Sequence, residues 1–265
     1  FKQKTAYEIY QCDWSSDVCS SDLWKRASDE QIRAKLLPPI VGALVMLAIA
    51  LAVGTRNPYA LLTFTFVGYS GAANKFEFWY GMKARHTAHG ENYLTALLRL
   101  MAGNRRRYGG YTAHLGILTV ALGIAASSTF RSESEATLTP GLSMTVSGHT
   151  VRLKQVWGRE EPQRSVIGAT LEIVKGGSVS GTVEPRMNFY PTSQQPVPTP
   201  QVNSSIAGDL YANLQAFKPD GSSATIRLIY EPLVPWIWFG GLIVVLGSVL
   251  SILPARTRAV AEGEA

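Results

Sequence analysis

Apolar residues in this chain come in long runs separated by stretches of a different grammar. Leu36 to Val53 is apolar throughout and long enough to cross a bilayer. Further runs extend from Tyr59 to about Tyr80, from Gly109 to Ala126 and from Pro232 to Leu253. Between the third and fourth runs the period falls to two. Val151 and Leu153 alternate with Arg152 and Lys154, and Leu171 and Ile173 with Thr170 and Glu172. Ile226, Leu228 and Tyr230 alternate with Thr225 and Arg227. Such alternation predicts strands with one buried face. Ser147-Gly148-His149, Lys175-Gly176-Gly177 and Asp220-Gly221 supply turns. The proline-rich stretch from Pro191 to Pro200 reads as an extended loop or sheet edge.

The fold class that follows is an α-helical integral membrane protein with an all-β insertion, a small barrel or sandwich, between its last two transmembrane helices. The expected units are a membrane region at 24–127, with helices at about 36–53, 59–80 and 109–126, and a β domain at 128–231. A last transmembrane helix at 232–253 and a tail at 254–265 complete the chain.

Charge sets the orientation. The loop from Gly81 to Tyr108 carries Lys83, Arg85, Arg99, Arg105, Arg106 and Arg107 against Glu91. By the positive-inside rule it is cytoplasmic, which places both chain ends inside and the β domain outside. Arg256 and Arg258 beyond the fourth run agree, and Trp236 and Trp238 mark its outer end. The net charge of +6 is thus an orientation signal, and no nucleic-acid partner is implied. A lead-in helix is expected over Trp24 to Lys35, with Pro38 and Pro39 in the first turn of the span that follows. Tyr93 to Met101 has the pattern of an amphipathic helix lying on the membrane surface.

Walker, Rossmann, HExxH and GxSxG patterns are absent. Both cysteines, Cys12 and Cys19, fall in the first 23 residues, at a spacing that suits neither zinc nor a CxxC redox pair. Thr5 to Leu23 has no helical or strand period and resembles translated adapter read-through, so residues 1–23 are set aside from the fold.

One ionisable residue lies deep in an apolar run. In Asn104-Arg105-Arg106-Arg107-Tyr108-Gly109-Gly110-Tyr111-Thr112-Ala113-His114, a basic cluster feeds directly into the third span. His114 falls about two turns inside, roughly 9 Å past Tyr108. A buried imidazole at that depth is costly and asks for a role. Haem ligation is one, since neutral histidine is a common axial ligand. A hydrogen bond to a neighbouring helix is the other. Gly110, Ala121 and Ala125 are expected on or near the His114 face, leaving room for a macrocycle or a close helix.

The remaining candidates are weaker. Lys75 and Glu77 either mark a proton or quinol path or, more commonly for such positions, snorkel at the interface. His86 and His89 read as an exposed cytoplasmic pair, and His149 as a solvated turn residue. The β segment offers no nucleophile, base or metal constellation by sequence, and no catalytic residue is assigned.

Four stretches, in order, resemble one family. NRRRYGGYTAHLGI resembles the late transmembrane segment of CcmF, in the haem lyase CcmF/NrfE family of cytochrome c maturation. EPRMNFYPTSQQPVPTPQV from Glu184, GDLYANL from Gly208 and LIYEPLVPWIWFGGLIVVLGSVLSI from Leu228 resemble that family's later segments. The resemblance covers about Trp24 to Arg258 and implies the C-terminal part of such a protein. It implies an inner-membrane subunit that helps attach reduced haem to the CxxCH motif of apocytochrome c and keeps a b-type haem between two transmembrane histidines. His114 matches one of these axial ligands; the second lies upstream in the family. Arg105, Arg106 and Arg107 become candidates for the haem propionates, since guanidinium suits carboxylates. The implied partners are the haem chaperone, the apocytochrome-binding subunits, apocytochrome c, haem, quinol as electron donor, and lipid. The fragment by itself would be inactive. The competing reading is a non-catalytic, membrane-anchored β module that docks assembly partners, with His114 purely structural.

Overall fold

In the computed structural model, residues 29–193 and 195–253 are described. The expectations for 1–23, for the start of the lead-in helix and for the tail at 254–265 lie outside them. Among the described residues, four helices precede the β domain and one follows it: α1 Asp29–Ala52, α2 Pro58–His89, α3 Tyr93–Gly103, α4 Arg105–Thr129 and α5 Val234–Ile252.

The lead-in segment and the first span form one continuous helix, so Pro38 and Pro39 sit inside α1 rather than in a first turn. The carbonyls of Ala34 and Lys35 lose their donors there. That is tolerable at the charged, water-facing end of the helix. α2 is capped by Asn57, whose side chain accepts from the Tyr59 and Ala60 N–H groups, and ends on Gly90 in the left-handed conformation.

Among the described residues, three helical segments are long and apolar enough to cross a membrane: Ile32–Ala52, Arg105–Thr129 and Val234–Ile252. The run expected at 59–80 lies in α2, which has the length but carries Asn74, Lys75 and Glu77 and falls short by composition. α2 packs between α1 and α4, so it exposes less surface than a lone span and needs fewer apolar residues. Near the β domain, Ala50, Ala60, Phe64, Ala125 and Ala126 close a small core, with Phe130 and Leu233 packed against it.

The helices approach through glycines. A Cβ on Gly116 would meet the Val244 N at 2.6 Å and the Gly240 O at 2.7 Å, and one on Gly240 would meet the Gly116 O at 2.7 Å. Gly109 and Gly123 extend this seam along α4, and Gly247 extends it along α5. The repeat of seven keeps them on one face.

The β domain is a sandwich of two antiparallel sheets. One runs β1-β10-β9-β8; the other runs β2-β3-β4-β6-β7, with β5 also pairing β4. The strands are β1 Ser132–Leu138, β2 Ser143–Val146, β3 His149–Glu161, β4 Arg164–Lys175, β5 Ser178–Val183, β6 Arg186–Phe189, β7 Val197–Thr199, β8 Gln201–Ser205, β9 Gly208–Phe217 and β10 Ala224–Pro232. The alternating residues meet between the sheets: Val151, Leu153, Leu171, Ile226 and Leu228 are fully buried there, with Leu210, Ala212 and Leu214 from β9. His149 is the first residue of β3, with its ring 4.6 Å from Tyr230, rather than a solvated turn residue. The two-residue turn before it is made by Ser147 and Gly148, both at positive φ.

Candidate functional site

His114 is exposed on α4, on a side other than the glycine seam that faces α5. Gly109, Gly116 and Gly123 turn to α5, whereas Tyr108, Leu118, Ala125 and Ala126 are buried on other sides. The remaining strip holds Gly110, His114, Ile117, Ala121 and Ile124, and His114, Ile117 and Ile124 are exposed. The ring is therefore not sunk among the described residues, as its depth in the apolar run suggested. The described helices leave its face uncovered. Of the small residues expected beside it, Gly110 and Ala121 are on the strip, and a Cβ on Gly110 would meet nothing within 4 Å. Ala125 instead joins the core beside Ala50 and Phe64.

The three arginines separate. Arg107 precedes His114 by seven residues and so shares its side of the helix, about 10 Å away along the axis. Its guanidinium donates to Glu77 Oε2 at 2.8 Å and to the Tyr111 hydroxyl at 3.1 Å. Tyr111 also donates to Glu77 at 3.2 Å. Glu77 thus holds an ion pair instead of snorkelling alone. Phe78, Tyr108 and Tyr111 form an aromatic cluster beside it.

Arg105 and Arg106 line a different feature, a cleft of about 600 Å³ at the start of α4, bounded by Ser251 and Ile252 of α5 and by Leu253 just beyond it. The Ser251 hydroxyl donates to the Arg106 carbonyl at 3.3 Å. Only Arg107 of the three stands in line with His114.

The elbow between α2 and α3 is held by charge and stacking. Arg85 and Arg99 both donate to Glu91. Removal from water raises the Glu91 pKa, but the bonds from the two arginines outweigh it and hold the carboxyl below its usual range. Tyr93 stacks on Trp79 at 5.5 Å and on His86 at 4.5 Å. His86 is engaged there through its ring and its contact with the Glu91 carbonyl. No group of three or more metal-ligating side chains occurs among the described residues. Leu94 and Leu98 on α3 remain exposed on one stripe, as an interfacial helix would present them.

Sequence alone suggests Gly240, Gly241 and Gly247 for close helix packing, and Gly240 and Gly247 do meet α4 while Gly241 does not; their α4 partners were not singled out residue by residue, because each is also an ordinary apolar-run residue. A repeat of seven among small residues was the available signal. Nor did it pair Glu77 with Arg107, which lie 30 residues apart.

Residues 129–232 match a family model described as the CcmF C-terminal beta-sandwich. The chain is 28% identical over 239 residues to a cytochrome c-type biogenesis protein CcmF of Pseudomonas fluorescens, covering 89% of this chain and 34% of that protein. It is 28% identical to the biogenesis protein ccl1 of Rhodobacter capsulatus, covering 90% of this chain and 35% of that one. A solved structure of a cytochrome c haem lyase CcmF superposes with a TM-score of 0.61 at 26% identity, covering 86% of this chain and 35% of that chain. The chain spans about a third of the length of the curated relatives it matches.

Proposed function

Because the chain is related to CcmF-type cytochrome c biogenesis proteins over their C-terminal third, we propose that it serves as that part of a membrane haem lyase. In this reading it contributes one axial ligand to a b-type haem and supports attachment of reduced haem to apocytochrome c. The observation that carries it is the open strip around His114. An imidazole stands there with Gly110 one turn before it and Ala121 two turns after it, and none of the described helices covers them.

These residues suit a haem. Imidazole nitrogen is a common axial donor, and an absent side chain at Gly110 leaves space for a flat ring. A haem held there would supply electron transfer. The chain's own residues do the rest. His114 presents its ring from a helix fixed by the glycine seam to α5, so its direction is set by packing. Arg107, kept in place by Glu77 and Tyr111, puts positive charge at one end of the strip, where a propionate would seek it. The apolar side chains of Ile117 and Ile124, exposed in this structure, would line the other end of the strip against a haem. The second ligand comes from the part of the relatives that lies outside this chain.

The β domain sits at the end of the bundle opposite the basic loop, which in this reading is the periplasmic side of the inner membrane. Haem chaperone, apocytochrome-binding subunits and apocytochrome c would be met there, with quinol as the electron donor. The test is complementation. Cells lacking their own haem lyase receive a full-length relative in which the residue aligned with His114 is Ala. Covalent haem in cytochrome c should fall at least tenfold at equal protein level; normal maturation would remove the haem role and leave a docking module.

A further inference from the structure

The four-stranded sheet carries a buried carboxylate that the haem reading does not use. Directly opposed residues on antiparallel strands face the same side. Ser204, Asp209 and Glu231 form such a row across β8, β9 and β10. Tyr211 follows Asp209 on the same face of β9. Leu210 and Ala212 point the other way into the core, so this row belongs to the outer face. Asp209 is nevertheless only 7% exposed, and its Oδ1 is buried with no hydrogen-bond partner. Buried carboxylates are normally paired or bound to a cation.

The nearby positive charge is already shared. Arg131 is 3.5 Å from both Glu133 and Glu231, while Arg227 is committed to Glu133 at 2.9 Å. Four carboxylates, Glu133, Glu135, Glu231 and Asp209, therefore share this face with two guanidinium groups, and neither guanidinium pairs with Asp209. Burial raises the Tyr211 pKa, and the charges of Asp209 and Glu231 push it further the same way. A hydrogen bond with Asp209 adds to the shift, and the strand register sets Glu231 directly beside Asp209 on this face.

We propose that Asp209 and Glu231, with the Ser204 and Tyr211 hydroxyls at the rim, bind a hard divalent cation of the calcium class. The donors are all oxygen, which excludes a preference for soft metals. Water fills the remaining positions from the Glu231 side, which is 27% exposed. The place gives the ion a role. Arg131 follows α4 and Glu231 precedes α5, so the ion would sit where the chain enters and leaves the sandwich. The adjoining turn is already tied to α5 by Leu233 N–H to the Ala207 carbonyl and Trp236 Nε1 to the Ile206 carbonyl, each at 3.0 Å. A cation there would fix the β domain to the membrane helices. This inference stands independently of the haem reading.

The experiment uses the full chain in detergent, with Ca²⁺ as ligand and Tb³⁺ as a probe excited through nearby aromatic rings. The wild type should give sensitised Tb³⁺ emission that Ca²⁺ displaces, and its melting temperature should rise with added Ca²⁺. Asp209→Asn should weaken Ca²⁺ binding by about tenfold or more and melt independently of Ca²⁺. Should that variant fail to fold, Glu231→Gln carries the same comparison. A wild type without displaceable emission or a Ca²⁺-dependent rise overturns the proposal, as do carboxylate variants that bind like the wild type.

Discussion

Arg227 and Glu133 show how a surface pair sets a local pH response. Glu133 accepts from Arg227 at 3.0 and 2.9 Å across β1 and β10. These bonds hold its carboxyl below the usual range, partial burial opposing them. Its folded pKa is therefore below its unfolded one. The pair stabilises at pH values above the unfolded pKa, and that contribution fades as pH falls through the folded pKa. Glu133→Gln should accordingly lower the thermal midpoint of the sandwich at pH 7, and the gap should close in acid below both values. A gap that persists in acid would show that the side chain acts through packing. At this scale the sequence was partly legible. His114 stood out because an ionisable group in an apolar run is rare, but its exposure depended on which helices cover which faces of α4. Asp209 could not be singled out, because its partner Glu231 reaches it only through strand register. Arg107 was grouped with Arg105 and Arg106 by adjacency, and helical geometry then separated them.

Among the elements, the long apolar helices and the alternating strands were legible because each writes a local period into the chain. Helix ends were less so: α2 continues to His89, past the aromatic residues Trp79 and Tyr80 that looked like its boundary. Stacking of Tyr93 on Trp79 and His86 supports those extra turns, and that contact joins two elements. The seam between α4 and α5 makes a sharp prediction. Gly116→Ala forces a Cβ against the α5 backbone and should cost about 1–3 kcal/mol, read as a lowered unfolding midpoint in detergent. Gly241→Ala, where a Cβ would meet nothing within 4 Å, should leave the midpoint unchanged or raise it. Equal effects at the two positions would mean that the helices do not pack through this seam. In the sandwich, Leu153→Ala empties a site with no solvent exposure and should cost about 2–5 kcal/mol, measured by loss of β-sheet circular dichroism on heating.

For the whole molecule, helices and sandwich divide the labour. The sandwich closes its own core, and the helices leave apolar faces open on α1, α2 and α5, including Leu44, Leu62 and Val245. With the basic loop at one end and the sandwich at the other, the positive-inside rule predicts opposite sides of the membrane. Single cysteines at Thr87 and Ser222, with Cys12 and Cys19 replaced by Ser, should react with an impermeant thiol reagent from opposite sides of the inner membrane. Labelling of both from one side would refute that arrangement. The central claim is that His114 grips a haem iron. Its most direct test is the reduced absorption spectrum of a purified full-length relative whose residue aligned with His114 is Gly, recorded without and with added imidazole. The account predicts loss of the low-spin b-type bands and their partial return with imidazole; an unchanged spectrum in the variant would contradict it.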